Sequence, residues 1–522
     1  MNTVETNKRG QTQHILIQII KLMSAIIRLA KRVGAGGAFL VFSMTVFGQS
    51  NNIVVSALPA SAGMASGGGT FATDSTNTVT AAANNGYSFV DWTEGTNVVS
   101  TSNSYTFVLT NDVTDLVANF SQNPLITQGG EFSVIGARSG DQVLPSISLS
   151  SSGGVIVWQD NWIDKKGGGI GMSLLNTSLA SSQPIRVNKV VTGLQNNPAV
   201  QLLPNGNIIS VWQGSATLAG RPFIYARFVK NTGGGSPGFY TGDIQVNTFT
   251  ADQQANPAVA ALPDGSAIIA WQSYGENGPG TYWGVYARRL SAAGKPIKSA
   301  INNSTKQFLV TQYTSYNQRN PVVATLAGGN YVIAWVSEQE RGLNRVDIYA
   351  RIFSPDGSPV TDEIAVNSGA DICDTPALAP NGDGGFTVVW AQKDAANPTN
   401  SWDVWGRAFS SSGSPEVNDF TVNTYLYGDQ DAPKIASGSA GSMVVWTSQA
   451  EDGSGPGVFG RYLAGGNQPS GPEFQVNTTY ISEQIQPDVA WDGNRFVAVW
   501  TSFVGASGFD LYGQAYVLNS SP

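Results

Sequence analysis

The sequence predicts an all-β chain: a small domain of half-buried strands, then a sevenfold repeat of strand-rich units. Three observations predict it. Charged residues make up only 12% of the chain while glycine alone supplies 60 positions, which suits short strands joined by tight turns. Between about residues 53 and 120, apolar and polar positions alternate with period two between Gly- and Asn-rich turns. Beyond about residue 131, a Val-Trp or Ala-Trp pair recurs at intervals of 54 to 64 residues.

The first 48 residues read as a targeting segment. Val33 to Gly48 is an apolar run preceded by Arg28, Lys31 and Arg32, with small residues before a plausible cut ahead of Gln49. The run is shorter than the roughly 20 apolar residues of a membrane span. Met23 as the true start would give a signal of ordinary length, and an uncleaved N-terminal anchor is the alternative. Either reading places the rest of the chain outside the cell or on its surface, exported by a Sec-type signal. Released and surface-retained forms are not distinguished.

In the small domain, Tyr87, Phe89, Tyr105, Phe107 and Phe120 recur at period two within Gly86–Trp92, Ser104–Leu109 and Leu116–Phe120. Their rings are expected to share a face, with Trp92 closing a small core. The stretch from Gly67 to Trp92, followed by YTFVLTNDVTDLVANF, resembles the divergent internalin B-repeat (InlB-type) module of bacterial surface proteins. That resemblance implies an extracellular spacer or adhesion module without catalysis. Residues 121–130, polar and bearing Gly and Pro, are expected to be a linker.

The repeat occupies residues 131–522 and is aligned on Trp158, Trp212, Trp271, Trp335, Trp390, Trp446 and Trp500. In each unit a first strand follows a proline, from Pro145 and Pro198 to Pro487. A Gly/Asn/Asp turn such as Asn205-Gly206 or Asp264-Gly265 leads into a second, nearly continuous apolar strand ending at the tryptophan. A variable loop precedes a third strand of the type IYARF, with Arg227, Arg288, Arg351, Arg407 and Arg461 at one position; GIGMSLL (Gly169–Leu175) departs from this in the first unit. A fourth strand reads FxVN or IxVN. Four strands per unit, repeated radially, describe a β-propeller blade, so the expectation is a seven-bladed β-propeller. The last unit ends at its third strand, while Glu131–Pro145 matches Glu473–Pro487. The N-terminal strand is therefore expected to complete the last blade and close the ring, leaving no open edge. The repeat is similar to those of large secreted bacterial proteins, which implies an extracellular interaction role and carries over no catalytic residue.

Composition excludes several chemistries. Residues 1–48 hold six of the 28 basic residues and one of the 36 acidic ones, so the remainder carries a formal charge of −13. Such a body repels phosphate backbones, which argues against nucleic acid. The only histidine, His14, lies in the targeting segment, so Ser-His-Asp, Cys-His and zinc-histidine sites are absent from the rest. Sialidase-type boxes do not occur, since Asp264 lies seven residues before Trp271. Cys373 has no partner for an internal disulfide.

Residues that recur in every unit are expected to serve the fold. A Gln-x-x-Pro motif recurs at Gln142, Gln195, Gln254, Gln318, Gln430 and Gln484, with Cys373 in the fifth unit. Its amide reads as a staple for the loop entering the first strand, the other reading being a ring of ligand-facing amides. The third-strand arginines read as pairing between blades, the other reading being a cationic ring. Loops between second and third strands do not repeat, and binding usually lives on such loops. Their aromatics Trp162, Tyr274, Tyr282, Trp283 and Trp402 are the candidate binding rim, flat faces for sugars or a protein. Asp160, Asp164, Glu276, Asp394, Glu451 and Asp452 are possible calcium ligands without a regular calcium-loop spacing; no cofactor is otherwise expected. The functional expectation is a monomeric secreted or surface adhesion protein, without catalysis, whose loop face meets an extracellular glycan or protein. A carbohydrate hydrolase or lyase using Asp/Glu in the propeller mouth is the alternative.

Overall fold

The computed structural model describes Lys21 and residues 50–110, 113–164, 167–215, 217, 220–232, 237–278, 282–393, 401–479, 481–505 and 507–519. Apart from Lys21, the targeting segment lies outside these residues, as does Asp394. All named elements are strands. Among the described residues, no helix is long and apolar enough to cross a membrane.

The chain divides into two compact units. The smaller includes the antiparallel pair of Ser50–Ile53 with Gly69–Ala72. The larger holds most of the remaining N-terminal strands and the whole repeat. Within it, Gly63–Ser66 pairs with Thr80–Ala83, and Tyr87–Glu94 lies between Asn97–Ser100 and the strand Val113–Gln122. Of the expected core, Phe89, Phe120 and Trp92 come together, whereas Tyr105 and Phe107 stand on Ser104–Val108, a strand of a different sheet. Phe89 and Trp92 are three residues apart, a spacing that sends side chains to opposite faces of a regular strand. A bulge between Phe89 and Asp91 resets the alternation. Phe89 thereby stands 6.0 Å from Trp92 and 5.8 Å from Phe120, with Trp92 fully buried.

Each repeat folds locally as its pattern requires. In the third, Gln254–Ala261 pairs antiparallel with Ala267–Tyr274, and that strand pairs with Trp283–Leu290. A short fourth strand, Phe308–Leu309, completes the sheet. The fourth and fifth repeats join in one eight-stranded sheet through a single parallel bridge, Val346 to Ile372. The seven second-strand tryptophans are essentially inaccessible to solvent. In the first repeat Gly171 faces Trp158 across the sheet, and a Cβ there would come within 2.3 Å of the indole, so the departing sequence makes room for that ring.

Repeats are stitched by side chains at equivalent positions. Arg351 donates through Nε to Thr361 O at 3.0 Å in its own repeat and through Nη1 to Val310 O at 2.9 Å in the preceding one. Arg407 does the same with Val417 and Val366, and Arg461 with Gly471 and Val422. These guanidiniums are consumed in joining neighbours, as the pairing reading expects. In the last repeat Gln514 takes the arginine's place, and the Tyr516 hydroxyl reaches the preceding Val476 O at 3.2 Å instead.

Phe132–Ser133 pairs antiparallel with Phe509–Leu518, the last strand of the chain. The expected linker at 121–130 differs from expectation. Gln122 ends the strand Val113–Gln122, and Leu125–Thr127 forms a second antiparallel pair with the same last strand, placing Thr127 opposite Tyr516. Two segments, one just before the repeat and one at its front, thus cover the edge of its final hairpin. First strands of the last and first repeats also meet: Leu144 and Ile147 donate their backbone N–H groups to Gln486 Oε1 at 3.1 Å and Asp488 Oδ2 at 2.9 Å.

Candidate functional site

Every first strand begins with the same irregularity. The residue before each proline has positive φ: Leu144, Asn197, Asn256, Asn320, Thr375, Ala432 and Gln486, at 46° to 54°. The register of each first strand slips at that point. Proline removes a ladder donor and disfavours the right-handed helical region for its predecessor, so the strand bulges there. Leucine, threonine and alanine pay for a left-handed backbone with strain of order 1 kcal/mol each.

The seven bulges line one cavity of about 530 Å³. Its walls are the prolines and small apolar residues such as Ala199, Ala258, Val322 and Ala377. Only Lys434 and Asp488 are charged among its lining residues. Burial pushes the Asp488 carboxyl up, against the pull of Lys434 and of backbone N–H groups from Ile147 and Val489. The asparagines themselves form an amide chain: Asn197 donates to Asn256 at 2.9 Å, Asn256 to Asn320 at 2.7 Å, and Asn320 to Asp374 at 3.0 Å. Arg319 grips both oxygens of Asp374 at 2.8 and 2.9 Å and Glu338 at 3.1 Å. Burial opposes the Arg319 charge, but these two carboxylates outweigh it and raise its pKa. Nearby in sequence, burial and then Asp429 push the Asp431 carboxyl up to about 6.

The Gln-x-x-Pro amides do not face this cavity. All six glutamines are buried, and each donates to a backbone carbonyl two or three residues earlier, as Gln318 does to Ser315 O at 3.0 Å and Gln484 to Ile481 O at 3.1 Å. Gln254 also accepts from the Trp271 indole at 2.9 Å. The staple reading holds, and the ligand-facing ring does not. Cys373 is buried, and burial raises its thiol pKa well above the ordinary value.

Loops after the second strands and loops before the first strands share one end of the sheets. The first residue of one donates to the residue before the glutamine of the other: Ser215 to Leu194 O, Tyr274 to Gln253 O, Glu338 to Asn317 O, Gln449 to Asp429 O and Phe503 to Glu483 O. On this end the predicted rim residues are partly united. Tyr274 and Trp283 are cross-strand partners with rings 5.4 Å apart, edge to face. Tyr282 stacks on Tyr316 at 5.8 Å with an interplanar angle of 18°, both exposed to solvent. Trp162 is exposed on the first repeat's loop and Trp402 half-buried on the fifth's, and among the described residues neither makes a ring contact with the others. Trp402 is anchored by its backbone, which donates to Asp429 and accepts from Gln430.

Sequence reasoning missed Tyr316, Leu426, Tyr427 and Ile481, which are exposed on the loops before the first strands. Their neighbourhood to the glutamine staples was the available signal. Three of the possible calcium ligands are engaged otherwise. Asp160 accepts from the Trp158 indole and from the N–H groups of Trp162 and Ile163, Glu276 from Ser273 and Gln307, and Asp452 from Ser454. Among the described residues, no group of three or more His, Cys, Asp or Glu side chains is arranged to hold a metal.

Comparison with solved structures gives low-identity similarities. A protein of unknown function from Dyadobacter fermentans is 10% identical, with 76% of this chain and 100% of that one covered and a TM-score of 0.45. An α-L-arabinanase of Penicillium chrysogenum complexed with arabinobiose is 10% identical over 63% and 94%, TM-score 0.44. A polysaccharide lyase is 10% identical over 73% and 90%, TM-score 0.44. None of these scores reaches 0.5. Comparison with curated proteins finds no match. One family model does match: residues 53–124 correspond to the divergent InlB B-repeat domain.

Proposed function

We propose that the repeat is a seven-bladed β-propeller closed by its N-terminal strand, and that the protein is an exported, non-catalytic adhesion protein whose loop face recognises a glycan. Support for closure comes from the pairing of Phe132–Ser133 with the last strand and from the cavity shared by all seven first strands. The InlB-type match at 53–124 supports a place at the bacterial surface.

The observation that carries the binding reading is the pair of aromatic contacts at the third repeat. Tyr282 and Tyr316 present a stacked, exposed platform, with Trp283 and Tyr274 behind them. Flat aromatic faces of this kind pack on the apolar faces of sugar rings. Hydrolysis would need two free carboxyl groups facing one space, about 5 to 10 Å apart. The cavity lining has one, Asp488, and both its oxygens accept backbone N–H groups. A hydrolase or lyase remains the alternative reading. A glycan array probed with the purified protein, with and without calcium, tests the proposal. Binding that disappears in Tyr282→Ala and Tyr316→Ala supports it. Turnover of a bound glycan, or binding unchanged in both variants, contradicts it.

A further inference from the structure

The loops that carry Tyr316 and Tyr427 are each seated on the neighbouring repeat by an acidic or amide side chain. Glu363 accepts the backbone N–H groups of Gln312, at 2.7 Å, and Tyr313. Glu473 accepts those of Thr424 at 2.7 Å and Tyr425 at 2.8 Å. At the same position of the third repeat, Gln307 Oε1 accepts the N–H of Thr248 at 2.9 Å.

Each of these three groups has a second partner, a glutamate in a Ser-x-x-Glu turn that follows the second strand. Ser273 holds Glu276 at 2.7 Å, Ser337 holds Glu340 at 2.6 Å, and Ser448 holds Glu451 at 2.7 Å. In the third repeat the partner is an amide, and Gln307 Nε2 donates to Glu276 Oε1 at 2.8 Å. In the fourth and sixth repeats the same contact joins two carboxyl groups, Glu340 with Glu363 and Glu451 with Glu473. Two carboxylates cannot hydrogen-bond to each other, so the contact needs one proton where the third repeat uses an N–H.

We propose that Glu340–Glu363 and Glu451–Glu473 are proton-held clasps: one proton shared within each pair seats the loops 312–317 and 424–429, and its loss with rising pH releases them.

The surroundings favour the proton. Burial and then Glu363 raise Glu340, while Ser337 and Tyr349 hydrogen bonds oppose, leaving it at about 7. Arg341 and Asp347 also lie close to Tyr349, but they are ion-paired with each other. Burial, Glu473 and Asp452 raise Glu451 to about 8 against the Ser448 hydrogen bond. Arg461, the cation near Glu473, is committed to Gly471 and Val422 carbonyls. A carboxyl whose pKa is raised on seating gives a contribution that is complete below its ordinary value of 4.5. That contribution falls as pH climbs, levelling near 7 for the first pair and near 8 for the second.

Hydrogen exchange of the full chain between pH 5 and 8, corrected for intrinsic rates, tests this without a ligand, and so separately from the glycan proposal. Protection of the Tyr313 and Tyr425 amides should fall by up to about tenfold per pH unit, while Thr248, held by Gln307, should lose less, because burial alone raises the Glu276 carboxyl there. The double variant Glu363→Gln/Glu473→Gln, which copies the third repeat, should cut that fall to the level of Thr248, and Glu340→Gln/Glu451→Gln should abolish it. Equal pH responses at all three amides, or an unchanged fall in a folded double variant, would overturn the proposal.

Discussion

The sheets of the repeat and the loops at one end of them obey opposite rules. In the sheets, equivalent positions do equivalent work: a buried tryptophan, a glutamine staple in six of seven repeats, an arginine that reaches two carbonyls. In the loops, little recurs beyond the Ser-x-x-Glu turns, and exposed rings such as Trp162, Tyr282, Tyr316 and Tyr427 accumulate. Recurrence marks what every unit needs in order to pack against its neighbours. A residue present once on a rigid frame is free to serve a partner.

This contrast predicts large losses from single framework changes and small ones from the rim. Trp335→Ala empties a fully buried site and should cost about 3–5 kcal/mol of unfolding free energy by denaturant titration. Trp162→Ala, at a position 55% exposed, should stay within about 0.5 kcal/mol in the same assay. A comparable cost at both sites would erase the distinction. Between these extremes, Arg407→Ala removes hydrogen bonds to Val417 and Val366 from a charged donor and should cost about 2 kcal/mol. If arginines instead formed a cationic ligand ring, that substitution would spare stability and weaken binding of anions. The smallest effect concerns Cys373. Its buried, hard-to-ionise thiol should resist alkylation in the native protein and react only with unfolding. Rapid native labelling would show that the fifth repeat's first strand is open.

Much of the framework was legible because it repeats: seven prolines, seven tryptophans and five arginines give an alignment within one chain. The bulge before each proline was not, since Leu144, Thr375 and Ala432 carry no preference for positive φ, and only Asn197, Asn256 and Asn320 hint at it. Pairing of Leu125–Thr127 with the last strand joins residues far apart in sequence and leaves no local periodic signal in three residues. Of the candidate rim, Tyr274, Tyr282 and Trp283 were proposed from their place in a nonrepeating loop. Tyr316 was missed because it stands beside a staple, in a segment read as framework. The Ser-x-x-Glu turns at Glu276, Glu340 and Glu451 do recur, but their partners come from residues 307, 363 and 473, and only the fold brings these together.

The shared loop face depends on the front of the repeat lying against its end. Ser133 and Tyr512 are directly opposed across that junction. Residues facing each other in an antiparallel pair stand about 4.5–5.5 Å apart at Cα, within reach of a disulfide. Mild oxidation of the Ser133→Cys/Tyr512→Cys double variant, followed by non-reducing electrophoresis of the denatured chain, measures closure directly. A closed ring gives an intramolecular cross-link that changes mobility, reverses on reduction and is missing from either single variant. A chain that stays uncross-linked, or links only to other copies, would contradict it.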